Sequence, residues 1–126
     1  RMLSTLIEAG ITPVMAPLTH DGQGNILNTN ADTIAAETAK ALAPYYDVTL
    51  TFCFEKKGVL SNPDDDDSVI PVITRDDFNR YVADGTIAGG MIPKIENALD
   101  AIHAGVKRVI ITKADALGEN AGTVII

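Results

Sequence analysis

The feature of this sequence that most constrains its fold is the alternation of short apolar segments with segments of helical periodicity. Residues 47–54 alternate between the two faces of a strand and are rich in β-branched and aromatic side chains, which predicts a strand. Residues 109–112 and 123–126 predict two further strands, the last at a sheet edge, and residues 11–16 predict a short buried strand. Strands that alternate with helices predict an α/β layered domain.

The predicted helices have local start and stop signals. A helix is predicted from residue 2 to Gly10, and a second runs from residue 32 to residue 43, where Pro44 ends it. A third helix follows Thr74, and a fourth of residues 91–103 begins after two glycines and carries a proline in its first turn. An Asp-Gly pair within residues 19–25 predicts a β-hairpin near the start of the chain.

The composition of this chain of 126 residues limits the classes of partner that are expected. Its formal net charge of -7 disfavours nucleic acid and anionic membranes as partners, and no stretch reaches the length of about 18 apolar residues that a membrane span needs. The first residues show no signal-peptide pattern, so the expected location is the cytoplasm. The single cysteine, Cys53, excludes an internal disulfide, and its aromatic neighbours Phe52 and Phe54 predict a buried structural thiol.

Amide and carboxylate side chains are concentrated in residues 28–32. Asn28 and Asn30 can orient a polar ligand, and Asp32 at a helix start can hold lysines or a metal in place. The same residues also suit a turn followed by a helix cap, with Thr29 or Asn30 as the N-cap. On the residues alone, both interpretations stay open.

A second candidate site is the Gly-Gly-Met-Ile-Pro-Lys run at residues 89–94. Paired glycines allow a backbone to approach a ligand closely, and the helix that follows offers free N–H groups and the positive end of its dipole. Lys94 lies one turn inside that helix, where its charge opposes the dipole. The positive end of the helix dipole and the charge of Lys94, side by side, fit an anion site that binds phosphate. A glycine turn with a solvated lysine is the alternative.

The remaining polar groups predict no metal site. Residues 64–67 are four consecutive aspartates, but adjacent side chains diverge and their spacing is not that of a calcium loop, which predicts a solvated loop. His20 and His103 have no cysteine or carboxylate at ligand spacing. The sequence also has no Walker-type phosphate loop, no dinucleotide fingerprint and no nucleophile elbow.

Five short segments taken in order form a recognisable set. They are the Thr-Pro-Val-Met-Ala-Pro run at residues 12–17, residues 28–32, the Gly-Val-Leu run at 58–60, residues 89–94 and the Gly-Thr pair at 122–123. In this order and spacing they resemble the acetylglutamate kinases of the amino acid kinase family, above all the form found in Bacteroides-like bacteria. The resemblance covers nearly all 126 residues. It implies a three-layer α/β sandwich with a mainly parallel central sheet and a β-hairpin near the start.

The resemblance also implies an activity. It is phosphoryl transfer from MgATP to the side-chain carboxylate of N-acetylglutamate or N-succinylglutamate, a step of arginine biosynthesis. By this resemblance Asn28 and Asn30 bind the acylglutamate, Asp32 organises the catalytic lysines, and Lys94 neutralises charge on the transferring phosphoryl group. Magnesium is expected to bind mainly through the nucleotide, and the parent protein is expected to be a homo-oligomer.

The nucleotide site implied by the resemblance consists of Glu55, Gly58, Gly89, Gly90 and Met91. The family usually has Asp-Val-x-Gly where this chain has Glu-Lys-Lys-Gly, so the carboxylate is kept and is one methylene longer.

The resemblance places this chain as one half of an enzyme. We expect residues 1–126 to be the C-terminal, ATP-binding lobe, without the N-terminal lobe that holds a glycine-rich loop, a second lysine and most of the acylglutamate pocket. We therefore expect the chain alone to be inactive. The alternatives are a kinase of glutamate, carbamate or uridylate, which the close spacing of Asn28 and Asp32 disfavours, and a nucleotide-binding fragment without catalysis.

Overall fold

A computed structural model of the chain describes residues 1–119 and 122–126. Within these residues the chain forms a four-stranded sheet, a two-stranded hairpin and four α-helices. The helices are α1 Met2–Glu8, α2 Ala31–Leu42, α3 Arg75–Ala83 and α4 Met91–His103, and a 3-10 helix spans Ala114–Ala116. The strands are β1 Leu18–His20, β2 Ile26–Asn28, β3 Thr49–Phe54, β4 Val72–Ile73, β5 Arg108–Lys113 and β6 Thr123–Ile125.

The four-stranded sheet has the order β3-β5-β6-β4. Strands β3 and β5 are parallel, β4 and β6 are parallel, and β5 and β6 are antiparallel. The predicted α/β class and mainly parallel sheet are confirmed. The prediction that the last strand lies at an edge is wrong, because β4 pairs along its outer side. With only two residues, β4 is too short for a periodic signal to predict it.

Three helices cover one face of this sheet. Alternate residues of the strands, such as Leu50, Phe52 and Ile111, are buried in one cluster with side chains of α2, α3 and α4. The described residues therefore supply two of the three predicted layers, one of helices and one of strands. The predicted burial of Cys53 is wrong: it is exposed on the opposite face, because the alternation that directs Phe52 inward directs its neighbour outward.

The predicted hairpin is formed, but the predicted strand at residues 11–16 is not. Strands β1 and β2 pair antiparallel around a five-residue loop, with Leu18 opposite Asn28. Residues 11–16 have no regular structure, and Val14 is 95% exposed. Pro13 lacks an N–H to donate to a ladder, and no strand of the described residues pairs with this segment.

The helix starts differ in a way that matters for the site. The side chain of Asn30 caps α2 by accepting hydrogen bonds from two backbone N–H groups. Thr74 and Asp77 cap α3 reciprocally in a capping box. By contrast, α4 follows its N-cap residue Gly90 with no side-chain cap and no acidic residue in its first turn. The N–H of Ile92 donates to the carbonyl of Gly89 and Pro93 has no N–H, so the donors left to a ligand at this start are those of Gly90 and Met91.

Candidate functional site

Two helix N-termini converge near the carboxyl end of β3. Helix α2 immediately precedes β3 and helix α4 precedes β5, and these two strands are parallel. Both helices therefore return antiparallel to the strands and begin at the carboxyl edge of the sheet. The two helices are also in contact with each other. Ligands of open α/β sheets bind beside this edge.

An ion pair joins the two helix starts. Lys94 Nζ on α4 donates to Asp32 Oδ2 on α2 at 2.7 Å, and the two side chains are 14% and 39% exposed. Asp32 lies in the first turn of α2, where the helix dipole favours a negative charge. Lys94 lies near the start of α4, where the dipole of that helix opposes its charge. This lysine therefore adds to a positive helix end.

Two aromatic rings flank the ammonium group. Lys94 Nζ lies 5.1 Å from the ring centroid of Phe52 and 5.6 Å from that of Phe54. Both distances are within the range of about 6 Å for a cation–π contact. The ammonium group is thus held between a carboxylate and two ring faces.

The backbone at the start of α4 is open to a ligand. Gly89 has a φ of +62°, a conformation that favours glycine, and a Cβ added at Gly89 or at Gly90 would meet no atom within 4 Å. Because α4 has no side-chain cap, its start combines open space, the N–H groups of Gly90 and Met91 and the nearby charge of Lys94. This combination suits an anion such as a phosphate.

A mainly apolar cavity lies beside this helix start. Its volume is about 270 Å³. It is lined by Phe54, Lys56, Gly58, Val59, Leu60, Pro63, Gly85, Thr86, Ile87, Ala88 and Met91. Phe54 links the two features, since its ring lies against Lys94 and also forms part of the cavity wall. An apolar cavity next to an anion site can take a ligand with a flat ring at one end and phosphates at the other.

The structure brings together part of the predicted nucleotide site. Gly58 and Met91 line the cavity, and Gly89 and Gly90 form the start of α4 beside it. Glu55 is exposed and is not among the residues that line the cavity. The ligand roles of all five residues stay predictions.

The two asparagines lie at the other helix start. Asn28 ends β2 and is exposed. The side-chain oxygen of Asn30 accepts from the N–H groups of Asp32 at 2.8 Å and Thr33 at 3.3 Å, which are the contacts of a helix cap. Substrate binding by Asn28 and Asn30 stays a prediction, and a capping role for Asn30 is compatible with it because the cap uses only the carbonyl oxygen.

Comparison with known proteins decides the family. Residues 1–113 match the model of the amino acid kinase family. The chain belongs to the amino acid kinase family. The acetylglutamate kinase of Bacteroides thetaiotaomicron is 67% identical to this family member over 122 residues, which are 97% of this chain and 48% of that protein. The acetylglutamate kinase of Phocaeicola vulgatus is 67% identical over 123 residues, which are 98% of this chain and 48% of that protein.

A solved structure confirms the fold of this amino acid kinase family member. A crystal structure of a protein from Streptococcus mutans UA159 superimposes with a TM-score of 0.78 at 35% identity, and the match covers 98% of this chain and 46% of that one. The chain thus spans about half the length of the relatives that it matches.

Sequence reasoning missed two parts of the site. Residues 85–88 form one wall of the cavity, and the signal was Ile87, an apolar residue between glycines that is buried in the structure. An apolar residue alone in a predicted loop indicates that the loop folds back onto the core. The contact of Phe52 and Phe54 with Lys94 was also missed, although the alternation of β3 places both rings on one face.

The four consecutive aspartates, residues 64–67, lie in a loop whose hydrogen bonds are mainly internal. The N–H of Asp64 donates to Asn62 Oδ1 and that of Asp67 to Asp65 Oδ1, while Lys56 Nζ lies 3.4 Å from Asp66 Oδ1. Among residues 1–119 and 122–126, no group of three or more His, Cys, Asp or Glu could hold a metal ion. Nor does any helix in this part of the chain have the length and apolar character needed to cross a membrane.

Proposed function

We propose that residues 1–126 are the ATP-binding half of an N-acylglutamate kinase. The proposed reaction transfers the γ-phosphoryl group of MgATP to the side-chain carboxylate of N-acetylglutamate or N-succinylglutamate, a step of arginine biosynthesis. The observation that carries the proposal is the Lys94–Asp32 pair at the uncapped start of α4. The family match and the names of the relatives support the choice of reaction.

Lys94 is proposed to act on the transferring phosphoryl group. Phosphoryl transfer needs little covalent chemistry from the protein, and catalysis rests on positioning and on charges aimed at the developing anion. Lys94 and the N–H groups of Gly90 and Met91 would supply positive charge from one side. Asp32 holds the ammonium group in place through their 2.7 Å hydrogen bond.

The nucleotide is proposed to span the cavity and the start of α4. Apolar walls such as Ile87 and Met91 suit the faces of a base, and the open backbone at Gly89 and Gly90 suits the phosphates. Glu55, at the end of β3, is proposed to contact the adenosine from outside the cavity. Magnesium would enter with the nucleotide, as a counter-ion of its phosphates.

The acceptor is proposed to bind mostly outside this chain. Asn28 and Asn30 would form one edge of its pocket, and an N-terminal lobe would supply the remaining contacts, a glycine-rich loop and a second lysine. In-line transfer needs charge neutralised on both sides of the phosphoryl group. Residues 1–126 alone are therefore expected to bind MgATP weakly and not to catalyse.

A paired assay tests this proposal. MgATP is titrated into the purified 126-residue chain, and ADP release is measured for this chain and for the full-length protein with each N-acylglutamate. We expect weak binding by the chain and acceptor-dependent turnover by the full-length protein only. Turnover by the chain within about tenfold of the full-length rate, under ~1.4 kcal/mol of barrier, would overturn the half-enzyme proposal.

The same assay decides the acceptor. A higher kcat/KM for N-succinylglutamate or for N-acetylglutamate assigns the acyl group. Turnover with glutamate, carbamate or uridylate but with neither acylglutamate would assign a different kinase of the family. Binding of MgATP without transfer to any of these acceptors would leave a nucleotide-binding module.

A further inference from the structure

We propose that Phe52 and Phe54 are positioning residues for Lys94, and that their ring faces fix its ammonium group while offsetting less of its positive charge than a second carboxylate would. This inference rests on the proposed function, since it assigns the groups that prepare Lys94 for that reaction. It adds two residues of β3 to a site otherwise built from helix starts.

Three side chains from two elements surround the ammonium nitrogen of Lys94. Asp32 on α2 accepts one hydrogen bond from Lys94 Nζ at 2.7 Å. Phe52 and Phe54 on β3 present ring centroids 5.1 and 5.6 Å from the same atom. The two rings are two residues apart on one strand, so their side chains leave the sheet on the same face.

An ammonium group needs such support to act as a fixed charge. Lysine carries its charge on a flexible four-carbon stem, and electrostatic catalysis requires charge that is already in place before the reaction. The hydrogen bond to Asp32, whose side chain is 39% exposed, uses only one of the three N–H donors of Lys94. Asp32 alone leaves the other two directions unrestrained.

Aromatic faces restrain the cation in a way that a second carboxylate could not. The negative face of a ring attracts a cation through its quadrupole, yet the ring has no net charge. A second carboxylate beside Lys94 would cancel the charge that the phosphoryl group must meet. Two rings and one carboxylate therefore hold the ammonium group while leaving more of its positive charge available.

Phe54 is the residue on which the idea can be tested. Phe52 is 4% exposed and belongs to the core, so its replacement would disturb the fold. Phe54 is partly exposed and also lines the cavity, so a competing explanation is that it only forms a wall of the nucleotide site. A wall acts on nucleotide affinity, whereas a positioning residue acts on kcat through Lys94.

Kinetics of the full-length protein separate the two explanations. Phe54→Leu, which keeps apolar bulk and removes the ring, should lower kcat about three- to tenfold, and Phe54→Tyr should restore it to within about twofold. In a Lys94→Ala background, Phe54→Leu should lower kcat no further, because the group it positions is gone. A raised KM for MgATP at unchanged kcat would overturn the proposal, as would an equal loss of kcat in both backgrounds.

A spectroscopic measurement on the 126-residue chain tests the contact between Lys94 and the two rings without relying on enzymatic activity. In a chain with 13C,15N-labelled lysine, ring currents should shift the ε-CH₂ signals of Lys94 upfield of those of the other lysines. Lys94→Arg assigns the signals, and circular dichroism checks that each variant is folded. Phe54→Leu should move the signals towards ordinary positions, and Phe54→Tyr should not.

Different results would overturn the positioning role and the proposed function. Unshifted Lys94 signals in the wild-type chain would overturn the positioning role, and this result does not depend on whether Phe54→Leu folds. Absence of any phosphoryl transfer by the full-length wild-type protein would instead overturn the proposed function.

Discussion

Lys94 Nζ and Asp32 Oδ2 are 2.7 Å apart, although the two residues are separated by 62 positions in the chain. The contact ties the start of α4 to the start of α2 and gives the candidate site its central charge pair.

Lys94→Ala is expected to remove most of the turnover of the full-length protein. A preorganised charge at a developing anion is commonly worth ~10²–10³ in kcat. Steady-state kinetics with MgATP and acylglutamate measure the loss. Lys40→Ala is the matched control, because Lys40 pairs with Glu37 on the surface of α2 and should leave kcat unchanged. If Lys94→Ala kept more than about a third of kcat, under ~1 kcal/mol of barrier, the proposed role would be wrong.

Asp32→Asn is expected to lower kcat while the protein remains folded. Asparagine fits the first turn of α2 and removes only the charge that holds Lys94. Turnover and thermal unfolding are measured on the same preparation, with Glu37→Gln as a control that loses a surface pair on the same helix. A sharp fall in melting temperature combined with normal turnover of the folded enzyme would show that Asp32 is structural.

Gly58→Ala is expected to destabilise the chain. An added Cβ would lie 2.7 Å from Thr123 Oγ1 and 2.9 Å from Val69 Cγ1, closer than real contacts allow. The hydroxyl of Thr123 cannot retreat easily, because it accepts from the N–H of Val59 at 2.8 Å and donates to the carbonyl of Ile70 at 2.7 Å. We expect a loss of roughly 1–3 kcal/mol in the free energy of unfolding, measured with urea.

Gly90→Ala is the control for this substitution. Gly90 has an ordinary φ of -66°, and an added Cβ there would meet nothing within 4 Å. Gly90→Ala should change the free energy of unfolding by much less than Gly58→Ala does. Equal effects of the two substitutions would contradict the close approach of Gly58 to Thr123.

Replacing Asp65 and Asp66 with serine is expected to leave the magnesium dependence of the full-length protein unchanged. The loop is held by its own hydrogen bonds, and the surface pair of Asp66 with Lys56 contributes little. Initial rates against magnesium concentration at fixed ATP test this expectation. A large rise in the magnesium requirement of the double variant would show that the loop binds metal.

Acid is expected to weaken the start of α3 through Asp77. Hydrogen bonds from the backbone and side chain of Thr74, with the nearby charge of Arg80, lower the pKa of Asp77 below its ordinary value of 3.8. The folded state therefore binds fewer protons than the unfolded state in this range. The stabilisation is present above the unfolded value of 3.8 and is lost as pH falls through the lower folded value.

Urea unfolding between about pH 6 and pH 3 measures this dependence. The free energy of unfolding should fall more steeply on acidification in the wild type than in Asp77→Asn. Asp76→Asn is the matched substitution, since it removes a neighbouring charge and leaves the capping box intact. Equal slopes in the wild type and in Asp77→Asn would show that the capping box does not couple to pH.

Local signals in the sequence predicted most of the elements. The glycine pair before α4, the Thr74 cap of α3 and the Asp-Gly turn of the hairpin each act over a few neighbouring residues, so they can be read without knowing the fold. Two of the errors, the strand at residues 11–16 and the edge position of β6, came where a partner far along the chain decides the outcome. Residues 11–16 have the composition of a strand but pair with no strand of the described residues.

Local patterns in the chain are enough to predict the α/β class, the helix starts and Asp32 and Lys94 as candidate site residues. Folding is what brings these two side chains together, places Phe52 and Phe54 beside the ammonium group, and makes Ile87 part of a cavity wall next to them. Periodicity, caps and turns depend on interactions within a few residues, whereas a site at the edge of a sheet is assembled by strand order and by helix packing. Those long-range pairings place Asp32 beside Lys94, and no local pattern in the chain encodes their distance.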